Sequence, residues 1–399
     1  TVHTARLGSH LPLLDLLPDE NPFTWVRNGE GLVGWGVYAE TTVKGAARFE
    51  AARKWWHEQL DSFEINNEVH GAGTGPVLFT SFAFDQQEES RLVIPKVLVG
   101  IKNQNNWITW IGDANQPKLL EKPAGTQLPK VTWRESDINL WKDQVRKAVA
   151  VIQRDSLDKV VLAREIIADI DSPVDPRTVL RKLAKDYPGT WVYSNSGLIG
   201  ATPELLIRLN NSMVVSRVLA GTISKTGDDS KDLALAASLA RSSKDLEEHE
   251  YAVRSVADAL APFCSSTNVP DAPFVLHLSN VMHLATDVTG AIKEGHKVID
   301  IFSILSKLHP SAAVCGTPTN AAADLIKQLE GINRGRYAGP IGWIDARGDG
   351  EQGLALRCGY LKDKEVHAYA GCGIVAGSDA EHEAAESQAK LLPIINALR

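Results

Sequence analysis

The 399-residue sequence predicts an α+β fold built on large, mostly antiparallel β-sheets. Two observations lead there. The segment 337–375 is strand-rich, and its strands are joined by hairpin turns rather than by helical crossovers, which argues against a doubly wound parallel sheet. Residues 1–130 hold several more strand-like runs around one helical run.

In chain order, GLVGWGVYAE (31–40), VLFTSFAF (77–84), RLVIPKVLVGI (91–101) and NNWITWIG (105–112) are rich in β-branched and aromatic residues and bounded by turn formers. Residues 44–63, KGAARFEAARKWWHEQLDSF, read as a helix between them. The glycines of HGAGTGP (70–76) are followed by proline and a strand, not by a helix. They therefore mark a flexible turn, not a dinucleotide fingerprint. Residues 115–132 shift to Pro, Lys and Gln and read as a linker or long loop. Residues 136–158 read as a helix capped by Ser136 or Asp137. Strand patterns follow at 159–170, 190–202 and 204–222, then a long helix around 242–251, and a last helix at 380–399. The expected organisation is one domain over 1–399, with a variable part at 1–130 and a core at 135–399.

Composition is ordinary for a globular protein, 44% hydrophobic and 23% charged. The net charge is -7 and no long Lys/Arg block is present, so nucleic acid is not an expected partner. No run approaches the roughly 20 apolar residues of a membrane span, and the first residues lack the pattern of a signal peptide. Cys264, Cys315, Cys358 and Cys372 show no C-x-x-C or zinc spacing and are expected as free thiols. The expectation is a cytoplasmic monomer.

The chemistry-bearing candidates begin with SSKDLEEHEY, Ser242–Tyr251. A charged helical run is ordinarily a solvated face. Yet Asp245 and Glu248 share one helix face, as do Glu383 and Glu386 in the last helix, with Lys390 four residues further on. If the two faces meet across a cleft, they supply oxygen ligands for a hard divalent cation; if not, they are two amphipathic helices facing water. Lys159 opens the apolar run KVVLARE. It is either a strand-end charge in solvent or, if buried, a base made available by desolvation. Glu204, in GATPELLIRL, is either a loop carboxylate or an acid whose pKa burial raises. Arg357, inside GLALRCGYL, reads as a buried strand residue in need of an anionic partner, from the protein or a substrate. Gly371 and Gly373, and the LAGT run 219–222, mark either close backbone approach to a ligand or bulges.

DKVVLARE, GATPELLIRL, LAGT, SKDLEEHE, VMHLATDVTG, LHPSAAVCGTP, GRYAGPIGW, LALRCGYL and AGCGIVAGSDAEHEAAESQAKL occur in that order. Together they resemble the chorismate-utilising enzyme family, and most closely its isochorismate synthases, over residues 135–399. The resemblance implies two large sheets packed face to face with helices outside. It implies a magnesium-dependent isomerisation of chorismate, with Lys159 as the base that activates water and Glu204 as the acid that protonates the departing hydroxyl. It further implies Glu248 and Glu386 as magnesium ligands, with Asp245 and Glu383 beside the metal. Tyr337 and Arg357 correspond to residues that hold the pyruvyl carboxylate. Gly371 and Gly373 correspond to backbone donors, and Lys390 to a lysine near the metal-bound carboxylate. Gly221, Thr222 and His283 correspond to residues lining the site.

Within that family, the lysine at 159 points to water rather than ammonia as nucleophile. Ala220 stands where the aminodeoxychorismate branch often has a nucleophilic lysine. Ala313 stands where salicylate synthases tend to have threonine. Ala312 departs from a frequent proline. The alternatives to isochorismate synthase are a salicylate synthase, which would go on to eliminate pyruvate, and a catalytically silent homologue that binds chorismate or metal.

Overall fold

The structure is a computed structural model and describes residues 1–8, 12–19, 21–119, 126–154, 156–295 and 299–399. Residues 120–125 of the expected linker lie outside the described residues. Among the described residues there are eight α-helices: α1 (Arg48–Asp61), α2 (Ile138–Ile152), α3 (Pro176–Asp186), α4 (Asp229–Leu239), α5 (Ser243–Leu260), α6 (Ile301–Leu308), α7 (Thr319–Leu329) and α8 (Ala380–Ala397). The helix expected at 44–63 starts only at Arg48, and the one expected at 136–158 starts at Ile138, capped by Asp137 rather than Ser136, and ends at Ile152. None of the described helices is long and apolar enough to cross a membrane.

The strands form the expected antiparallel architecture, with one parallel pairing, Val2–Arg6 against Ile65–Asn67. The two predicted sheets are halves of a single continuous ladder. One half runs from Val281–Ile292 through Met213–Ser224, Leu205–Asn210, Gly350–Leu354, Pro340–Asp345 and Val77–Ser81 to Ser90–Lys102. The other runs from Glu30–Val43 through Phe23–Arg27, Trp191–Asn195, Leu198–Thr202, Cys358–Leu361 and Glu365–Ile374 to Lys159–Ile170. They join where Glu30–Val43 pairs with Ser90–Lys102. These two long strands pair along most of their length, with one irregularity between Val37 and Ala39 where the register shifts.

The halves close on each other through an aromatic core. Phe23 and Phe79, from opposite halves, have ring centroids 5.7 Å apart. Trp25 stacks on Trp191 at 6.2 Å and donates its indole N–H to Glu351 Oε2 in the facing half, at 2.7 Å. Burying a tryptophan removes a large apolar area from water, and its one polar atom is satisfied by a charged acceptor. All four cysteines are buried free thiols, as expected.

Trp25 is 1% exposed and bridges the two halves. Trp25→Ala is expected to destabilise the fold by about 3–5 kcal/mol, measured as a lower midpoint in urea unfolding. An unchanged midpoint would mean that the halves hold together without this contact.

Candidate active site

The charged run at Ser242–Tyr251 is divided lengthwise. Ser242 caps α5, its side chain accepting from the Asp245 amide. From that start, Asp245, Glu248 and His249 fall on the buried face, whereas Glu247 and Glu250 stay in water. α8 starts in the same manner, with Asp379 accepting from the His382 amide, and buries Glu383 and Glu386. The two acidic faces do meet. The link between them is Lys244, whose Nζ lies 2.8 Å from Glu383 Oε1, 3.7 Å from Asp245 Oδ1 and 3.8 Å from Glu248 Oε2. Lys244 was not singled out from the sequence, although its i,i+4 spacing to Glu248 is legible there.

Beneath α5, the strands Lys159–Ile170 and Glu365–Ile374 run antiparallel with Gly373 opposite Val161 and Gly371 opposite Ala163. At Gly373 the missing side chain leaves room for the Glu248 carboxylate: a Cβ there would lie 2.0 Å from Glu248 Oε1 and 3.0 Å from Lys159 Cε. The LAGT run is a bulge, because the pairing of Met213–Ser224 with Val281–Ile292 slips between Leu219 and Thr222. Gly221 in it has φ +82°, and α5 packs directly over it, so a Cβ would sit 3.0 Å from that of Asp245.

Lys159 is completely buried. Its Nζ lies 3.8 Å from Glu248 Oε1 and donates to the Glu248 carbonyl at 3.4 Å. Burial pulls its pKa below the usual lysine range, although Glu248 and Glu204 partly oppose this. Glu204 follows strand Leu198–Thr202 through Pro203, and its Oε1 accepts from the Leu219 amide at 3.4 Å. Burial pushes this carboxyl up to about 7. Two neighbouring buried ionisable groups are thus each driven toward the neutral form, the amine to free base and the carboxyl to free acid.

Arg357 departs from the sequence reading. It lies between strands Gly350–Leu354 and Cys358–Leu361, not within one, and its φ of +50° is rare for a residue with a side chain. Its Nη2 donates to His283 Nε2 at 2.9 Å, so His283 carries its proton on Nδ1 and donates to Thr222 Oγ1, also 2.9 Å away. Burial holds His283 well below the usual histidine range, consistent with a neutral ring. No protein carboxylate pairs with Arg357 within 4 Å among the described residues. A buried guanidinium with only a neutral partner is suited to an incoming anion. Tyr337 stacks on Tyr369 at 5.1 Å, and Tyr369 donates to Glu165 at 2.8 Å. Lys390 Nζ donates to Glu386 Oε1 at 2.5 Å and to the Gly371 carbonyl at 3.1 Å.

A narrow pocket of about 50 Å³ gathers Glu204, Thr222, Glu248, His283, Ala313, Tyr337, Arg357, Gly371, Gly373 and Lys390 on its walls. Lys159, Gly221, Asp245, Glu383 and Glu386 sit directly behind those walls, through the contacts above. The structure thus brings every residue of the expected set to one place. Ala220 also lines it, and so do Arg334 and Tyr369, which sequence reasoning passed over. The Arg334 guanidinium is buried against Glu330 and donates to the Val161 and Val314 carbonyls.

The acidic cluster has the donor set of a hard-cation site. Both Glu383 oxygens, Glu386 Oε2 and Asp245 Oδ1 are buried without a hydrogen-bond donor; Lys244 approaches Glu383 and Asp245 as an ion pair only. Glu383, Glu386 and the Cys372 thiol present ligand atoms within 4.8 Å of one another. Burial pushes the Cys372 thiol well up, which keeps the proton on sulfur and makes it a poor ligand for such an ion. Burial, and then Glu386, push Glu383 up, against the pull of Lys244. Glu386 is lowered instead, because Lys390 and Lys244 outweigh its desolvation.

The Glu204 shift has a stability consequence. A carboxyl raised from 4.5 to about 7 favours folding fully below the unfolded value, and that contribution is lost as pH rises through 7. Glu204→Gln is therefore expected to match wild type in stability near pH 4 and to exceed it by about 3 kcal/mol at about pH 8. Urea unfolding at the two pH values measures this; no gain at the higher pH would show that Glu204 ionises normally.

With this geometry in place, known proteins can be compared. Residues 17–399 match the family model described as chorismate binding enzyme. The chain is 30% identical to isochorismate synthase MenF of Bacillus subtilis (strain 168), over 92% of this chain and 85% of that protein. It is 32% identical to isochorismate synthase DhbC of the same organism, over 81% of each. The crystal structure of DhbC from Bacillus anthracis superposes with a TM-score of 0.81 at 27% identity, covering 97% of this chain and 98% of that one. The chain belongs to the chorismate-binding enzyme family.

Proposed function

We propose that this protein is an isochorismate synthase, converting chorismate to isochorismate by adding water at C2 and expelling the C4 hydroxyl. The observation that carries this reading is the pair Lys159 and Glu204, both buried, Glu204 on the pocket wall and Lys159 directly behind it, and displaced in opposite directions from their solution pKa values. The relatives named above as isochorismate synthases, 30% and 32% identical, support it.

Neutral Lys159 takes a proton from water as the water oxygen bonds to C2. The two ring double bonds shift, the C4–O bond breaks, and protonated Glu204 gives its proton to the departing oxygen, which leaves as water. One proton is gained by the amine and one lost by the carboxyl, so exchange with solvent restores both groups. Arg357, set by His283 and Thr222, receives the pyruvyl carboxylate beside Tyr337, which the stack on Tyr369 holds in place. Gly371 and Gly373 keep the strand backbone close enough to donate to the substrate. Glu248 and Glu386 would hold Mg²⁺, with Asp245 and Glu383 behind them, and the bound ion would engage the ring carboxylate and draw electron density from the ring. Ala220 supplies no amine to compete with water as nucleophile.

The test is product identification. Purified protein with chorismate and magnesium, without ammonia, is expected to give a chorismate–isochorismate mixture and no pyruvate by proton NMR. Lys159→Ala and Glu204→Gln are each expected to lower turnover by about 100-fold or more. Salicylate with matching pyruvate would move the assignment to a salicylate synthase. Near wild-type turnover in either variant would remove that residue from the mechanism.

A further inference from the structure

Lys244 is placed where a lysine is least expected. It is the second residue of α5, and a cation in the first turn of a helix opposes the macrodipole. Its ammonium nevertheless points into the cluster, within 4 Å of Asp245, Glu248 and Glu383. Beyond its close approach to Glu383 it has no other hydrogen-bond partner among the described residues, so ion pairing is what holds it there. Lys390 differs, because it is fixed by hydrogen bonds to Glu386 and the Gly371 carbonyl. Lys159 differs too, being sealed within the protein. The Lys244 side chain is 17% exposed, so it borders solvent, and its four methylenes allow the head to swing out.

We propose that Lys244 is a tethered counter-cation that occupies the carboxylate cluster in the metal-free protein, is displaced when a divalent cation binds, and thereby sets the metal affinity. The inference rests on the reading of the cluster as a metal site given above. The physical argument is competition. Clustered carboxyl groups drawn from two helices repel one another in a dry setting, and an internal cation offsets that repulsion when no metal is present. An ammonium beside Glu248 and Glu383 and a dication held by Glu248 and Glu386 would stand as like charges only a few ångströms apart. Binding the ion must then break the Lys244 pairs, which weakens apparent affinity. Once freed, the ammonium gains water and leaves the unfavourable end of the helix dipole.

Two readouts on the substrate-free protein decide this, and neither uses activity. The first is magnesium binding by calorimetry to wild type, Lys244→Gln and Lys244→Arg. Lys244→Gln is expected to bind roughly 10-fold tighter while the Tm of its metal-free form falls. Lys244→Arg, which keeps the charge, is expected to stay near wild type. The second is labelling of the Lys244 amine in the wild-type protein by an acylating reagent, read by peptide mass spectrometry. Labelling is expected to rise when magnesium is added, the reverse of protection by a ligand. Should Lys244→Gln fold poorly, the labelling decides alone. Equal affinities for wild type and Lys244→Gln, with labelling unchanged by magnesium, overturn the inference and leave the metal reading intact. Absence of magnesium binding in every variant overturns both.

Discussion

The structure depends on keeping a dense set of ionisable groups dry. Lys159, Glu204, Glu248, Glu383 and Glu386 are each at most 5% exposed and lie in or directly behind one pocket. Removing such groups from water is costly, and only internal pairing or neutralisation makes it tolerable. Both solutions are present. Lys390 and Lys244 hold Glu386 in its charged form, while Glu204 and Lys159 are pushed toward neutrality because no close partner compensates them fully. The charged groups suit binding of an anion and a cation. The neutral ones suit proton transfer.

The helices carry much of this load. Asp245 is the third residue of α5 and Glu383 the fourth of α8, so both acids lie near helix N-termini, where the macrodipole favours negative charge. Capping by Ser242 and Asp379 fixes where each helix begins and therefore which residues face inward. The sheet does the rest. The long strands Lys159–Ile170 and Glu365–Ile374 are locked in register, and that register sets Gly373 under Glu248 and next to Lys159. The aromatic core between the two halves of the ladder forms the base on which these elements rest.

Much of this was legible in the sequence. Turn placement in 337–375 announced antiparallel sheets, and the i,i+3 acids of α5 and α8 announced paired carboxyl faces. What periodicity does not encode is which faces meet, since that depends on contacts between residues more than a hundred positions apart. Lys159 illustrates the limit. As the first residue of a strand it looks like a solvent-facing end charge, and only the short strand Gly316–Thr317, the glycine floor and α5 together bury it. Arg357 was read as a strand residue because its neighbours are apolar, yet the strand breaks there and the residue takes a positive φ. Lys244 and Arg334 were passed over because an i,i+4 charge pair on a helix or loop is ordinarily surface decoration, and nothing local distinguishes a buried pair from an exposed one. The motifs in order carried information that spacing did not, since a shared family implies shared long-range contacts.

In the proposed reaction, buried Lys159 and Glu204 bring about addition of water at one ring carbon and loss of hydroxyl from another. Running the reaction in water enriched in heavy oxygen tests it most directly. At early times, each isochorismate formed is expected to carry one heavy oxygen, on its ring hydroxyl. Isochorismate formed with its original light oxygen would mean that the hydroxyl migrates without exchange, and would contradict the roles given to both residues.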